Sequence, residues 1–198
     1  MALNHATIGI TDTQIESEVV ALYEQHAPSL CRYASLIADS AEAARDAVQE
    51  TFLRYFVERR YGKEIANPRA WLYQVLRNYV WDRMTTAAAQ REVPALNVDR
   101  VADERHDPEA LAEKSRMARE IAASLSEREL ECLRLRTEGL SYQEIGSAME
   151  VRIGTVGALL ARAHDKIRRR AAVESGVEMN LAGAVYRLVY GDKMCMRG

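Results

Sequence analysis

Long apolar runs are missing: the longest stretches free of charged or polar side chains are six residues, 156–161 and 181–186. A membrane-spanning helix needs about 20, so no membrane insertion is expected. Residues 1–10, MALNHATIGI, have neither a basic start nor an extended apolar core. No secretory signal is read there, and the expected compartment is the cytoplasm. Cysteine is scarce. Cys31, Cys132 and Cys195 stand far apart without C-x-x-C spacing, which argues against a disulfide framework and a zinc cluster and predicts reduced thiols. Glycine-rich phosphate loops and HExxH are absent as well. Neither charge sign dominates, with 27 Lys+Arg against 29 Asp+Glu. What is present is apolar material: 48% of 198 residues are hydrophobic, enough for one or two small cores, which excludes disorder throughout.

The near-neutral total hides some segregation. Residues 1–90 carry nine cations against eleven anions, 91–124 six against eight, 125–170 nine against seven and 171–198 three against three. Within the third segment Arg162, Lys166, Arg168, Arg169 and Arg170 face a lone Asp165 and form one basic stripe. Such a stripe suits either a solvated helix end, where cations complement the dipole, or contact with phosphates.

Apolar residues recur at helical spacing, and no stretch before residue 150 alternates as a strand would, so the chain reads as all-α. After a tail at 1–15, a helix begins over 15–24; Pro28 interrupts or restarts it before Leu30, Tyr33, Ala34 and Ile37 line a second face. Asp39-Ser40 offers a cap for a helix over 41–60 that buries Val48, Phe52, Tyr55 and Phe56 while turning Asp46, Gln49 and Glu50 outward. Arg59, Arg60 and Gly62 close it, and Asn67-Pro68 opens another in which Trp71, Leu72, Val75, Leu76 and Tyr79 share a face. The first domain ends near residue 90. An acidic, proline-bearing linker follows over 91–111, and a lead-in helix over 108–124 starts the second domain, 112–170. There Ser126 with Glu129, and Ser141 with Glu144, form two capping boxes, and Gly139 separates the helices they open. The short helix 142–149, a turn and a longer helix with buried Val156, Leu159, Leu160, Ala163 and Ile167 make a helix-turn-helix.

In a helix-turn-helix the second helix lies in the major groove and the first crosses the backbone. Opposite the buried stripe stand Thr155, Ala158, Ala161, Arg162 and Asp165. Thr155 and Arg162 can read base edges, with Arg152 at the helix entrance and Lys166 on the basic stripe, so direct readout is sparse and the backbone carries much of the affinity. Asp46, Gln49 and Glu50 read as an exposed polar face or a protein-docking face; nothing opposes them to make a catalytic pair or metal site. Cys132 falls on an apolar helix face and His164 on a basic helix, so no nucleophile is assigned and no enzyme is read. Tyr61, Lys63, Arg69, Trp71, Tyr73, Arg77, Asn78, Trp81 and Arg83 interleave aromatics with cations, the composition that stacks bases and pairs phosphates of a single strand, or a turn packing on its domain.

Several segments together carry a family resemblance. They are Asp46-Ala47-Val48-Gln49-Glu50-Thr51-Phe52-Leu53-Arg54, Pro68-Arg69-Ala70-Trp71-Leu72 with Arg77-Asn78 and Asp82, Leu125-Ser126-Glu127-Arg128, and Glu138-Gly139-Leu140-Ser141-Tyr142-Gln143-Glu144-Ile145-Gly146 with Gly154-Thr155-Val156. In order and spacing the set resembles the extracytoplasmic-function sigma factors of bacterial RNA polymerase, over about 16–90 and 112–170. The resemblance implies two small helical domains, region 2 and region 4, joined by an acidic linker. It implies that Asp46, Gln49 and Glu50 dock on core RNA polymerase, and that Tyr61, Lys63, Arg69, Arg77, Asn78 and Arg83 melt and hold the non-template strand of the minus-ten element. Arg152, Thr155, Arg162 and Lys166 would meet the minus-thirty-five element as duplex, and the linker would pass through the polymerase channels. No cofactor or metal is implied, and an anti-sigma factor is an expected partner.

This sequence departs from the family in three places. Arg83-Met84-Thr85-Thr86-Ala87-Ala88-Ala89 stands where a dense basic cluster is usual; Gly157-Ala158-Leu159 replaces polar and basic residues, with Arg152 where a capping serine is common; and 171–198 extends past region 4 with Leu181, Val185, Leu188 and Val189 at helical spacing. A rival reading takes 125–167 alone, which also resembles the LuxR-type DNA-binding domain, but its receiver domain would need alternating strands and helices in the first ninety residues. A helical adaptor without DNA is the third reading, for which the smooth Ala158/Ala161 face speaks. Expected overall is a non-enzymatic transcription initiation factor.

Overall fold

The computed structural model describes residues 11–90 and 120–175, the side chains of 87–90 and 171–175 excepted. The chain divides after residue 90 into two compact units, and every regular element described is helical. Among the described residues no helix is long and apolar enough to cross a membrane. The linker, the start of the lead-in helix and the residues beyond 175 lie outside the described residues.

The first unit has three helices: α1 (Asp12–Ile37), α2 (Ala41–Arg60) and α3 (Pro68–Gln90). α1 starts three residues earlier than the periodicity suggests, because Thr11 and Gln14 form a capping box. It also runs unbroken through Pro28, where the sequence predicts an interruption or restart. Interior proline costs about 3 kcal/mol. Against this, α1 buries Ile15, Ala27, Leu30, Tyr33, Ala34 and Ile37. Burying each large side chain returns roughly 1.5–3 kcal/mol, so the buried stripe outweighs the proline. α2 begins at Ser40, whose hydroxyl accepts from Ala43 N at 2.9 Å. It ends at Gly62, φ +79°, where Gly62 N donates to Arg59 O and Lys63 N to Glu58 O in the paired pattern of a Schellman stop. Asn67 caps α3 through Oδ1, which accepts from Ala70 N at 3.0 Å.

The inner face of α3 is rotated from the expected one. Leu72, Tyr73, Leu76 and Val80 are buried, whereas Trp71, Val75 and Tyr79 are only half-buried. Aromatic pairing explains the rotation: Tyr73 meets Tyr33 of α1 edge-on at 5.3 Å, and Trp71 meets Tyr55 of α2 at 5.4 Å from the flank. Phe56 is likewise half-buried, while Val48, Phe52 and Tyr55 are inside.

The second unit, after a helical turn at 120–124, holds α4 (Glu127–Thr137), α5 (Tyr142–Met149) and α6 (Ile153–Ser175). Both predicted capping boxes form, Ser126 with Glu129 and Ser141 with Glu144. Gly139, φ +79°, stops α4 with the same paired bonds, Gly139 N to Arg136 O and Leu140 N to Leu135 O. Val156, Leu159, Leu160, Ala163 and Ile167 of α6 are all buried against α4 and α5. Cys132 belongs to this core: its thiol points at Val156 O, and burial pushes it up to about 12. A thiol so rarely ionised is no nucleophile.

Candidate binding surfaces

The outward side of α2 carries Asp46 and Gln49 in the open and Glu50 half-exposed, the last paired with Arg54 at 2.8 Å. At 100° per residue the same side continues through Leu53 and Val57. Both are exposed, at 57% and 41%. Sequence reasoning placed neither in the buried set Val48, Phe52, Tyr55 and Phe56 nor on the outward polar face, and so left them unassigned. Their spacing, three and seven residues after Glu50, was the available signal. On this side of α2 the polar Asp46, Gln49 and Glu50 thus adjoin two exposed aliphatic side chains.

The loop between α2 and α3 is tied at its start. Arg59 reaches Glu18 of α1 at 3.1 Å and donates to Lys63 O at 2.9 Å, and the Tyr55 hydroxyl donates to the other oxygen of Glu18 at 2.5 Å. Lys63 pairs with Glu58 at 2.9 Å, while the Tyr61 ring projects into solvent, 87% exposed. Arg69 lies half-buried in the first turn of α3. Arg77 stacks on Trp81 at 4.5 Å and donates to Asn78 Oδ1 at 3.1 Å. Arg83 instead donates to the Tyr79 hydroxyl at 3.0 Å, beside an Arg54 that also overlies the Tyr79 ring. Six positions on a helix turn through about 240°, so Arg77 and Arg83 occupy different flanks of α3. The structure groups Arg77 with Asn78 and Trp81 and sends Arg83 toward α2.

Arg152, just before α6, and Ile153, Gly154, Ala158, Ala161 and Arg162 on it are exposed, and Thr155 is half-buried. The turn before it depends on Gly146, whose missing Cβ would stand 2.9 Å from Val151 O. Lys166 does not extend freely: its ammonium donates to Glu129 Oε2 at 2.7 Å, and Arg162 Nε lies 3.5 Å from Oε1 of the same carboxylate. Glu129 is buried, and burial pushes its carboxyl up, but the bonds from Lys166 and from the Ser126 backbone and hydroxyl outweigh this and hold it below its ordinary range. In the sequence Glu129 reads only as the third residue of a capping box, and the second role shows once α6 folds back across α4. Among the described residues no group of three His, Cys, Asp or Glu is placed to hold a metal ion.

Residues 22–90 match the family Sigma-70 region 2, and residues 115–167 match Sigma-70, region 4. The ECF RNA polymerase sigma factor SigL of Mycobacterium tuberculosis is 31% identical over 143 residues, 71% of this chain and 81% of that protein. The chain belongs to the ECF RNA polymerase sigma factors. A second relative in the family, SigE of Mycolicibacterium smegmatis, is 30% identical over 159 residues, 78% of this chain. The chain spans 62% of the length of that relative. The sigma factor RpoE, solved in complex with the anti-sigma factor NepR from Bartonella quintana, shares the fold with a TM-score of 0.60 at 20% identity, over 82% of this chain and 99% of that one.

In this ECF sigma factor the region 2 match covers α2, α3 and the later part of α1, and the region 4 match covers α4, α5 and most of α6. The LuxR-type reading finds no support: where a receiver would place strands, the described residues of the first unit are three helices.

Proposed function

We propose that this sigma factor binds core RNA polymerase through the outer face of α2 and directs it to a two-part promoter, as a non-enzymatic initiation factor acting in the cytoplasm. The observation that carries the reading is the α2 face, where Asp46, Gln49 and Glu50 adjoin exposed Leu53 and Val57 in a unit whose core is already filled by other residues. Exposed aliphatics adjoining a polar rim on one helix face support a protein-docking role for that face.

In this reading Tyr61 and the Arg77–Asn78–Trp81 group engage the separated strand, helped by Lys63 and Arg69 at the two ends of the loop. Arg83, held on Tyr79, supports the α2–α3 junction and meets backbone there. Arg152, Thr155 and Arg162 face the upstream duplex, while Lys166 is committed to Glu129. The acidic segment 91–111 serves as the linker between the two activities, and an anti-sigma factor that covers the apolar strip of Leu53 and Val57 is the expected antagonist; RpoE was solved in complex with the anti-sigma factor NepR.

The test is association of the labelled full chain with purified bacterial core polymerase. Wild type binds, and Asp46→Arg, which reverses a charge on the exposed face, weakens binding at least tenfold without changing the thermal melt. Equal affinity of that variant refutes the α2 face, and absence of wild-type binding refutes the function.

A further inference from the structure

The basic stripe of α6 is less basic than its sequence. Lys166 Nζ lies 2.7 Å from Glu129 Oε2 and Arg162 Nε 3.5 Å from Oε1, and one turn on Arg169 pairs with Asp165 at 2.6 Å. Glu129 differs from a surface partner in two ways. Its side chain is 4% exposed, and Ser126 N–H donates to Oε2 at 2.8 Å, so the cap of α4 fixes the carboxylate independently of the cations. Arg162 is by contrast 60% exposed. A phosphate approaching this flank therefore meets two cations already facing a fixed, partly desolvated anion.

We propose that Glu129 is a charge mask for the duplex-binding unit: it neutralises Lys166, and in part Arg162, on the flank of α6 and so suppresses indiscriminate phosphate binding. The inference rests on the reading of the second unit as the duplex-binding one. Non-specific affinity comes from counterion release, and each cation placed on a phosphate adds about 0.9 to the slope of log affinity against log salt. With the carboxylate present, these two cations contribute little to that slope. Removing its charge frees up to two of them. Affinity for any DNA then rises. A merely structural glutamate would give the opposite sign, weaker binding from a loosened domain.

Glu129→Gln keeps the length of the side chain and an oxygen for Ser126 N–H, so the cap survives. The experiment measures anisotropy of a 30-base-pair random-sequence duplex with the full-length chain over a series of KCl concentrations, with thermal melts of each protein alongside. Glu129→Gln is expected to bind tighter than wild type at low salt, with a slope steeper by about one to two. Lys166→Gln is expected to lower the slope by about one in the Glu129→Gln background and by less than half of that in the wild type. A folded Glu129→Gln with wild-type slope and affinity, or equal falls in the two backgrounds, overturns the proposal. Should Glu129→Gln fail to fold, Lys166→Gln in the wild type decides alone, since a fall of about one there marks Lys166 as an unmasked phosphate contact. Absence of any salt-dependent binding by the wild type would instead overturn the DNA-binding reading beneath it.

Discussion

Replacing Gly146 by alanine tests the turn that aims α6. Its Cβ would stand 2.9 Å from Val151 O, and Val151 N donates to Gly146 O at 2.9 Å, so the chain folds back onto this residue from both sides. Glu150, in the left-handed region at φ 56°, leaves the turn little room to move. Three terms compete. Alanine gains about 1 kcal/mol of helix propensity over glycine. Overpacking against backbone costs about 1–3 kcal/mol, and displacing the Val151 hydrogen bond costs about 1 kcal/mol more. The net is a loss of roughly 1–3 kcal/mol, which for a domain of this size lowers the melting temperature by roughly 5–15 °C. Differential hydrogen exchange across the second unit, with calorimetry, measures it. Gly154→Ala is the control, because a Cβ there meets nothing within 4 Å. If Gly146→Ala melts at or above the wild-type temperature, the close approach is not a constraint and the turn is looser than described.

Three further outcomes follow from the same geometry. Leu53→Asp, at a position 57% exposed, leaves stability within about 0.5 kcal/mol. It should weaken core-polymerase binding about 10- to 100-fold, the worth of burying one leucine; unchanged affinity removes the apolar strip from the interface. Tyr61→Ala, lacking one base-stacking ring worth about 1–3 kcal/mol, reduces open complexes on a promoter while core binding stays intact, and permanganate footprinting reads the difference. The depressed carboxyl of Glu129 adds stability that is complete above its ordinary value of 4.5 and is lost as pH falls through its lower folded value. Below pH 4.5 the wild-type second unit should therefore destabilise more steeply than Glu129→Gln; parallel profiles contradict the assignment.

The elements most legible in the sequence were those written in local chemistry. Ser40, Ser126 and Ser141 as caps and Gly62 and Gly139 as stops place α2, α4 and α5 within a residue or so, because each acts through bonds spanning only a few positions. Less legible was whatever depends on a partner distant in sequence. The continuity of α1 through Pro28 follows from burial against α2 and α3, and the rotation of α3 follows from Tyr33 and Tyr55 choosing which ring to meet. The split of Arg77 from Arg83 was readable from helical phase alone and was hidden by treating a mixed run of aromatics and cations as one surface. Glu129 shows the same limit, since a cap glutamate gains its ion pairs only when α6, thirty-seven residues on, returns across α4.

Run-off transcription with purified bacterial core polymerase on a pool of genomic promoter fragments, with and without the protein, tests the central claim most directly. Discrete start sites that depend on the protein, lost together in Asp46→Arg and Leu53→Asp, are the predicted result. A folded protein that neither associates with core polymerase nor yields a transcript would contradict the account.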